Sequence, residues 1–225
     1  MYIKYLGHSC FSFETNSKKT ILIDPIYQYG DPVDLVLVTH GHSDHLGYTI
    51  DLKKPTIAIY ELAHYLKHHN VPAIGMNIGG TYTFDDTIKI HMVPAIHSSS
   101  VTIDGIDHYM GSATGFVIDI DGIVVYHSGD TALFSDMKLI RDMYHPDIAI
   151  LPIGDRFTMG LSAAKVATEF IGAKLVIPMH YNTFPEINQD VNKFKQSIES
   201  NSKIKVEILE PGDRISLSGY KKVVS

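Results

Sequence analysis

The chain predicts an α/β fold of mixed sheets with helices packed against their outer faces. Three observations carry this expectation. Short β-branched and aromatic runs crowd the N-terminal part and return between Gly79 and Asp121. From Ser135 onward, helical stretches alternate with short apolar strands. No linker, low-complexity tract or charge run separates the two regimes, so residues 1–225 are expected to form one domain.

The elements follow in order. Tyr2 to Leu6, Cys10 to Glu14 and Thr20 to Asp24 read as strands, broken by Gly7-His8 and by the polar turn Asn16 to Lys19. Val33 to Val38 is an apolar run of the kind buried on both faces. Thr56 to Tyr60 is a similar strand, followed by a helix over Glu61 to His69. Thr87 to Val93 and Thr114 to Ile120 are strands, and Asp121-Gly122 is a hairpin turn into Ile123 to His127. Ser135 to Tyr144 reads as a helix and Asp147 to Pro152 as a strand. Ser162 to Ile171 is the clearest helix, with Ala163, Val166, Ala167 and Phe170 as its apolar face. Ser162 is placed to cap that helix and Gly172 to stop it. Leu175 to Pro178 is a strand, Asp190 to Ser200 a helix, and Ile204 to Leu209 a strand turning at Pro211-Gly212 into Arg214 to Leu217. No sequence repeat is evident.

Composition narrows the function classes. A hydrophobic fraction of 44% and a charged fraction of 20% are those of a globular protein. The net charge of -6 and the lack of a basic run argue against nucleic acid as a partner. No apolar run approaches the roughly 18 residues a membrane span needs. The start lacks a signal-peptide pattern, and the single cysteine, Cys10, reads as a buried small hydrophobe. A cytoplasmic, reducing location is the expectation.

The chemistry concentrates in Thr39-His40-Gly41-His42-Ser43-Asp44-His45, directly after the Val33 to Val38 run. Four potential ligands stand at H-x-H-x-D-H spacing. Three imidazoles and a carboxylate in one loop repel or desolvate each other unless a cation satisfies them, and imidazole suits zinc, iron and nickel. Gly41 is expected to let the chain turn sharply. A solvent-exposed polar loop accounts poorly for four such residues at this spacing.

This motif resembles the signature of the metallo-β-lactamase superfamily, and the rest of the chain supplies the elements that resemblance requires. His97 follows a strand in Pro94-Ala95-Ile96-His97-Ser98, Asp130 stands in Ser128-Gly129-Asp130-Thr131, and His180 stands in Pro178-Met179-His180-Tyr181. The resemblance implies a four-layer αβ/βα sandwich, with two central mixed sheets flanked by helices. It implies a dinuclear site in which His40, His42 and His97 hold one divalent metal ion and Asp44, His45 and His180 hold the other. Asp130 bridges them. Zinc is the first choice, with manganese, iron or nickel as alternatives. The activity implied is hydrolysis of an ester, lactone or phosphodiester bond in a small-molecule substrate, with Asp44 orienting the attacking water.

Gly7-His8-Ser9-Cys10-Phe11 and Ile153-Gly154-Asp155-Arg156-Phe157-Thr158-Met159-Gly160 are similar to segments of a group of small metal-dependent hydrolases. That group is related to ascorbate-6-phosphate lactonases and, more distantly, to ribonuclease Z and the N-acyl phosphatidylethanolamine phospholipases D. Through it His8 is carried over as a candidate catalytic residue, contacting substrate or donating a proton. Asp155 departs from the small residue expected after Gly154. Histidine at position 42, where di-iron oxygen reductases of this fold carry glutamate, disfavours redox chemistry. The rival function is a non-catalytic metal- or ligand-binding sensor on the same fold. Relatives often assemble, so a homo-oligomer is an open expectation.

The remaining histidines carry weaker signals. His64 and His68 stand at i, i+4 without the glutamate of an H-E-x-x-H motif and read as a solvated helix face. His69, His91, His108 and His145 belong to no motif, whereas His127, three residues before Asp130, is placed to support a ligand. The loops over 105–111 and 183–188 are the candidates for setting specificity.

Overall fold

A computed structural model describes residues 1–217. The first sheet is built from β1 (Tyr2–Gly7), β2 (Cys10–Glu14), β3 (Thr20–Ile23), β4 (Leu35–Leu37), β5 (Thr56–Ile59) and β6 (Ala73–Met76). Three helices punctuate this half: the short α1 (Ser43–Leu46) and α2 (Thr49–Leu52), then α3 (Tyr60–His68). The second half opens with β7 (Thr81–Phe84) and β8 (Ile88–Pro94), a hairpin of β9 (Ser100–Ile103) and β10 (Ile106–Tyr109), then β11 (Thr114–Ile120) and β12 (Ile123–His127). It closes with α4 (Met137–Tyr144), β13 (Ile148–Pro152), α5 (Leu161–Ile171), β14 (Leu175–Met179), α6 (Val191–Glu199), β15 (Lys205–Val206) and β16 (Arg214–Ser216).

These strands form two 7-stranded mixed sheets, ordered β16-β1-β2-β3-β4-β5-β6 and β15-β14-β13-β12-β11-β8-β7. Both have the same internal plan. Antiparallel pairing runs from β16 to β3 in one sheet and from β7 to β12 in the other, and parallel pairing continues from there to β6 and β15. The halves share this architecture without a sequence repeat, because a pairing pattern constrains only alternation and burial.

Alternation explains the layering. In the second sheet Phe116, Ile118, Ile148 and Ile150 join Phe11, Phe13, Ile21, Ile23, Leu35 and Leu37 of the first in one apolar core. The opposite-facing Val117, Tyr126, Ala149, Leu151 and Val176 pack with Met137, Ile140, Ala164, Ala167, Phe194 and Ile198 of α4, α5 and α6. Leu62, Ala63 and Leu66 of α3 are buried over the first sheet. The result is the expected four-layer sandwich, helix–sheet–sheet–helix.

Most elements fall where the pattern places them, and the differences have local causes. α5 starts at Leu161, with Gly160 at its cap position and no side-chain cap, so Ser162 lies inside the first turn. Its buried face is Ala164, Ala167, Thr168 and Ile171 rather than the Ala163, Val166 and Phe170 stripe, because the helix is rotated toward the sheet by tertiary packing. Gly172 ends it in the left-handed region, at φ 65°. The expected Ile204 to Leu209 strand pairs only over Lys205–Val206. The turn Asp121-Gly122 has φ of 55° and 78°, the paired left-handed conformations of a tight hairpin. Among the described residues, no helix is long and apolar enough to cross a membrane.

Candidate metal centre

The candidate residues leave different strands and meet at one edge of the sandwich. His40 to His45 follow the end of β4, His97 follows β8, Asp130 follows β12 and His180 follows β14. In parallel sheets the strand ends release the chain into loops at one side, where side chains from several strands can converge. Backbone bonds hold the two sheets in register there. Thr114 N–H and its hydroxyl both donate to the Thr39 carbonyl (3.0 and 2.9 Å), and His180 N–H donates to the His8 carbonyl (2.9 Å).

Ring and carboxylate atoms then gather in three overlapping groups whose ligand atoms lie within 4.8 Å of one another: His40, His42 and His97; His8, Asp44, His45 and His180; and His40, His45 and Asp130. Nε2 of His40 is 2.9 Å from Nδ1 of His42. Asp130 Oδ2 lies 3.0 Å from Nε2 of His180, 3.3 Å from Nε2 of His45 and 3.6 Å from Nε2 of His97.

Burial without compensation argues that this cluster holds cations. His40, His45, Asp130 and His180 are buried, yet among the described residues Nε2 of His45 and Oδ1 of Asp130 have no hydrogen-bond partner. Buried polar atoms are seldom left so unless an ion or water completes them. Burial pushes the imidazoles of His40, His42 and His97 below their ordinary range. It acts the same way on His45, but Asp130 and Asp24 outweigh it and hold that ring well above the ordinary value. His180 is likewise pushed up to about 9, with Asp130 and Asp44 overcoming burial. Burial would raise Asp44, but His180, 3.7 Å away, and the hydrogen bond from His8 hold it well below the usual carboxylate range. The aspartates thus demand positive charge at the centre, supplied by protons on His45 and His180 or by divalent cations. Neutral imidazoles with carboxylates are a donor set for Zn²⁺ and similar ions.

A supporting shell fixes the ring orientations. Nδ1–H of His45 donates to Oδ2 of Asp24 (2.7 Å), which turns Nε2 toward Asp130. Asp24 is fully buried and also accepts from the Thr39 backbone N–H and hydroxyl, each at 2.8 Å. Thr39 Oγ1 in turn accepts from Nδ1–H of His40 (3.0 Å), presenting Nε2 of that ring inward. Nε2–H of His127 donates to the Ser9 carbonyl (3.0 Å), and its Nδ1 accepts from Gly129 N–H (3.2 Å). His127 therefore supports the turn before Asp130, as its position in the sequence suggests. Gly129 adopts φ 59°, and a Cβ there would lie 2.4 Å from the Thr114 carbonyl oxygen.

One expectation changes. Gly41 does not make its turn through a left-handed conformation; it is needed because a Cβ would crowd the Ser100 backbone and Met110, at 3.0 and 3.1 Å. His8 is fully buried, and its ring faces Asp44. Its Nε2–H donates to Oδ2 of Asp44 (3.0 Å) while its Nδ1 accepts from the Thr183 hydroxyl (2.7 Å).

A cavity of about 290 Å³ opens onto the cluster, lined by His42, Asp44, His97, Ser98, Asp130, Phe157, His180 and Phe184. Phe184 comes from the 183–188 loop, whereas none of residues 105–111 lines the cavity. Asp24 is a neighbour of the cluster that sequence reasoning missed, its signal being a carboxylate that ends the apolar run Ile21-Leu22-Ile23; Phe157 and Thr183 lie in segments the sequence singled out, without a contact assigned to either. Of the remaining histidines, His64 and His68 form an exposed pair on α3, with Nε2 atoms 3.1 Å apart.

The chain is similar to known proteins over most of its length. The β-lactamase superfamily domain matches residues 2–180. A UPF0173 metal-dependent hydrolase of Methanoculleus marisnigri is 50% identical over 224 residues, covering 98% of this chain and 99% of that protein. One from Methanoregula boonei is 52% identical over 222 residues, covering 96% and 98%. The solved structure of Igni18, a metallo hydrolase from Ignicoccus hospitalis, has a TM-score of 0.85 at 37% identity, covering 95% of this chain and 97% of that one. This chain belongs to the β-lactamase superfamily and is a metal-dependent hydrolase of the metallo-β-lactamase fold.

Proposed function

We propose that the chain hydrolyses an ester, lactone or phosphodiester bond of a small molecule at a dinuclear site, acting as one domain over residues 1–225. The observation that carries this reading is the position of Asp130. Its Oδ2 faces His97 of one ligand group and both His45 and His180 of the other, as a bridging carboxylate must. His40, His42 and His97 are assigned to one ion; Asp44, His45 and His180 are assigned to the second. Zinc is preferred for its match to imidazole-rich sites, with manganese, iron or nickel as alternatives. Two such ions, when bound, lower the pKa of water toward about 7 and polarise the scissile bond.

The chain's own residues supply orientation. Asp44 faces the cavity with its side chain 29% exposed, and one of its oxygens is already engaged by His8. The carboxylate is therefore fixed in direction while still able to accept a proton from water in the cavity. His8 is a positioning residue for Asp44, and Thr183 fixes the His8 tautomer. Phe157 and Phe184 limit water around the reacting group, which strengthens every charge interaction inside. A cytoplasmic setting is supported by Cys10, the lone cysteine, which is buried with its thiol pushed up by burial.

Elemental analysis of the purified protein, paired with ester, lactone and bis-p-nitrophenyl phosphate assays before and after chelation, tests the reading. Close to two metals per chain, with activity lost on chelation and restored by Zn²⁺ or Mn²⁺, is the expected result. A metal-free protein with no activity under any added cation favours the sensor role instead.

A further inference from the structure

The arginines of this chain are Arg141, Arg156 and Arg214. Arg141 is paired with Asp142 at 2.8 Å, and Arg214 with Glu14. Among the described residues, Arg156 alone of the three has no carboxylate partner. Its guanidinium carbon instead lies 5.4 Å from the centroid of the Phe157 ring. Phe157 is itself a wall of the metal cavity, with half its surface exposed.

We propose that Arg156 is an anion-recognition residue at the mouth of the metal cavity. It selects ester or lactone substrates that carry a second, anionic group beyond the scissile bond. This assignment rests on the hydrolase reading above.

Three physical points support it. A guanidinium placed over an aromatic ring uses its face, leaving the in-plane N–H donors free for a carboxylate or phosphate. The turn that carries Arg156 is anchored on the metal centre. Gly154 packs so closely on His180 that a Cβ would lie 2.3 Å from the His180 carbonyl oxygen, and Asp155 N–H donates to the Met159 carbonyl (3.0 Å). Arg156 is thus held on a built turn rather than on a free loop. Finally, among the described residues no lysine or arginine lines the cavity, whose carboxylates are Asp44 and Asp130. An anionic tail leaving the cavity past the Phe157 wall meets Arg156 there. The walls of Phe157 and Phe184 suit a short apolar spacer between the two ends.

Binding calorimetry on the protein with its metals tests the assignment without relying on turnover. α,ω-Dicarboxylates of increasing length are compared with monocarboxylates of the same length, because the metal centre itself takes one carboxylate. At the length that spans the cavity, the dicarboxylate should bind roughly five- to tenfold tighter than its monocarboxylate counterpart. The difference should shrink as salt is raised, since Arg156 is exposed. Arg156→Gln should abolish that difference, and Arg156→Lys should retain part of it. No gain at any length, or a gain that survives Arg156→Gln, overturns the proposal and leaves Arg156 a solvated surface residue. Replacing the distal carboxylate with a phosphonate shows which of the two anions the guanidinium prefers. Failure of the hydrolase reading looks different: monocarboxylate binding would then be indifferent to chelation, whatever Arg156 does.

Discussion

His45 Nδ1 and Asp24 Oδ2 lie 2.7 Å apart with both side chains fully excluded from solvent, and the carboxylate also holds the Thr39 backbone. A carboxylate behind an imidazole fixes its tautomer, aims the opposite nitrogen and raises its basicity as a ligand. Asp24→Asn should therefore lower metal affinity about 10- to 100-fold, the usual consequence of losing such a partner. Competition against a chromophoric chelator measures this. An affinity equal to that of the wild type would show that the orientation of His45 comes from packing alone.

Asp44→Asn should leave the protein folded, since the side chain is partly exposed and of unchanged size, with a lower thermal transition because one of the two carboxylates facing His180 is lost. Hydrolysis should fall by at least about 10²-fold, the scale expected on loss of a positioned proton acceptor. Full activity in this variant would remove Asp44 from the mechanism.

Gly154→Ala should damage the site from a position that coordinates nothing. Its Cβ would meet the His180 carbonyl at 2.3 Å and Ile187 at 3.0 Å, so backbone must move. Overpacking of this kind costs about 1–3 kcal/mol, and the strain falls on a proposed ligand. Urea titration should show the loss of stability, and elemental analysis should show reduced metal. Normal values of both would mean that the 153–160 turn shifts freely.

The response to pH should differ between metal-free and metal-bound protein. In the metal-free fold His180 is raised to about 9 from an ordinary value near 6.5. The protonated ring between Asp44 and Asp130 contributes stability fully below about 6.5, and that contribution is lost as pH rises toward about 9. Metal binding needs neutral imidazoles and grows stronger over the same interval. The gap in melting temperature between the two forms should therefore widen from pH 6.5 to 9. A constant gap would indicate that His180 holds no excess proton.

His40, His42, Asp44 and His45 were legible because they sit in one short segment, where local spacing is itself the signal. His97, Asp130 and His180 became legible through a motif resemblance spanning the chain. Asp24 was not, and Thr183 and Phe157 were visible only as members of flagged segments, since what each of the three touches depends on what another part of the chain brings beside it. The same logic governs α5: the helix and its Gly172 stop are visible as periodicity and a chain-reversing glycine. The face it buries is set by the sheet beneath it.

By itself, then, the sequence determined the fold class, the order of the main elements and the identity of the candidate ligands, because periodicity, turn residues and ligand spacing are short-range properties of the chain. Tertiary structure alone decided that His8 bonds to Asp44, that Asp24 stands behind His45, and that Gly41 and Gly154 make room for neighbours. It also decided that Arg156 stands beside a cavity wall without a carboxylate partner among the described residues. All but the last join residues many positions apart, and only the face-to-face packing of the two sheets and the loops at their strand ends bring them together.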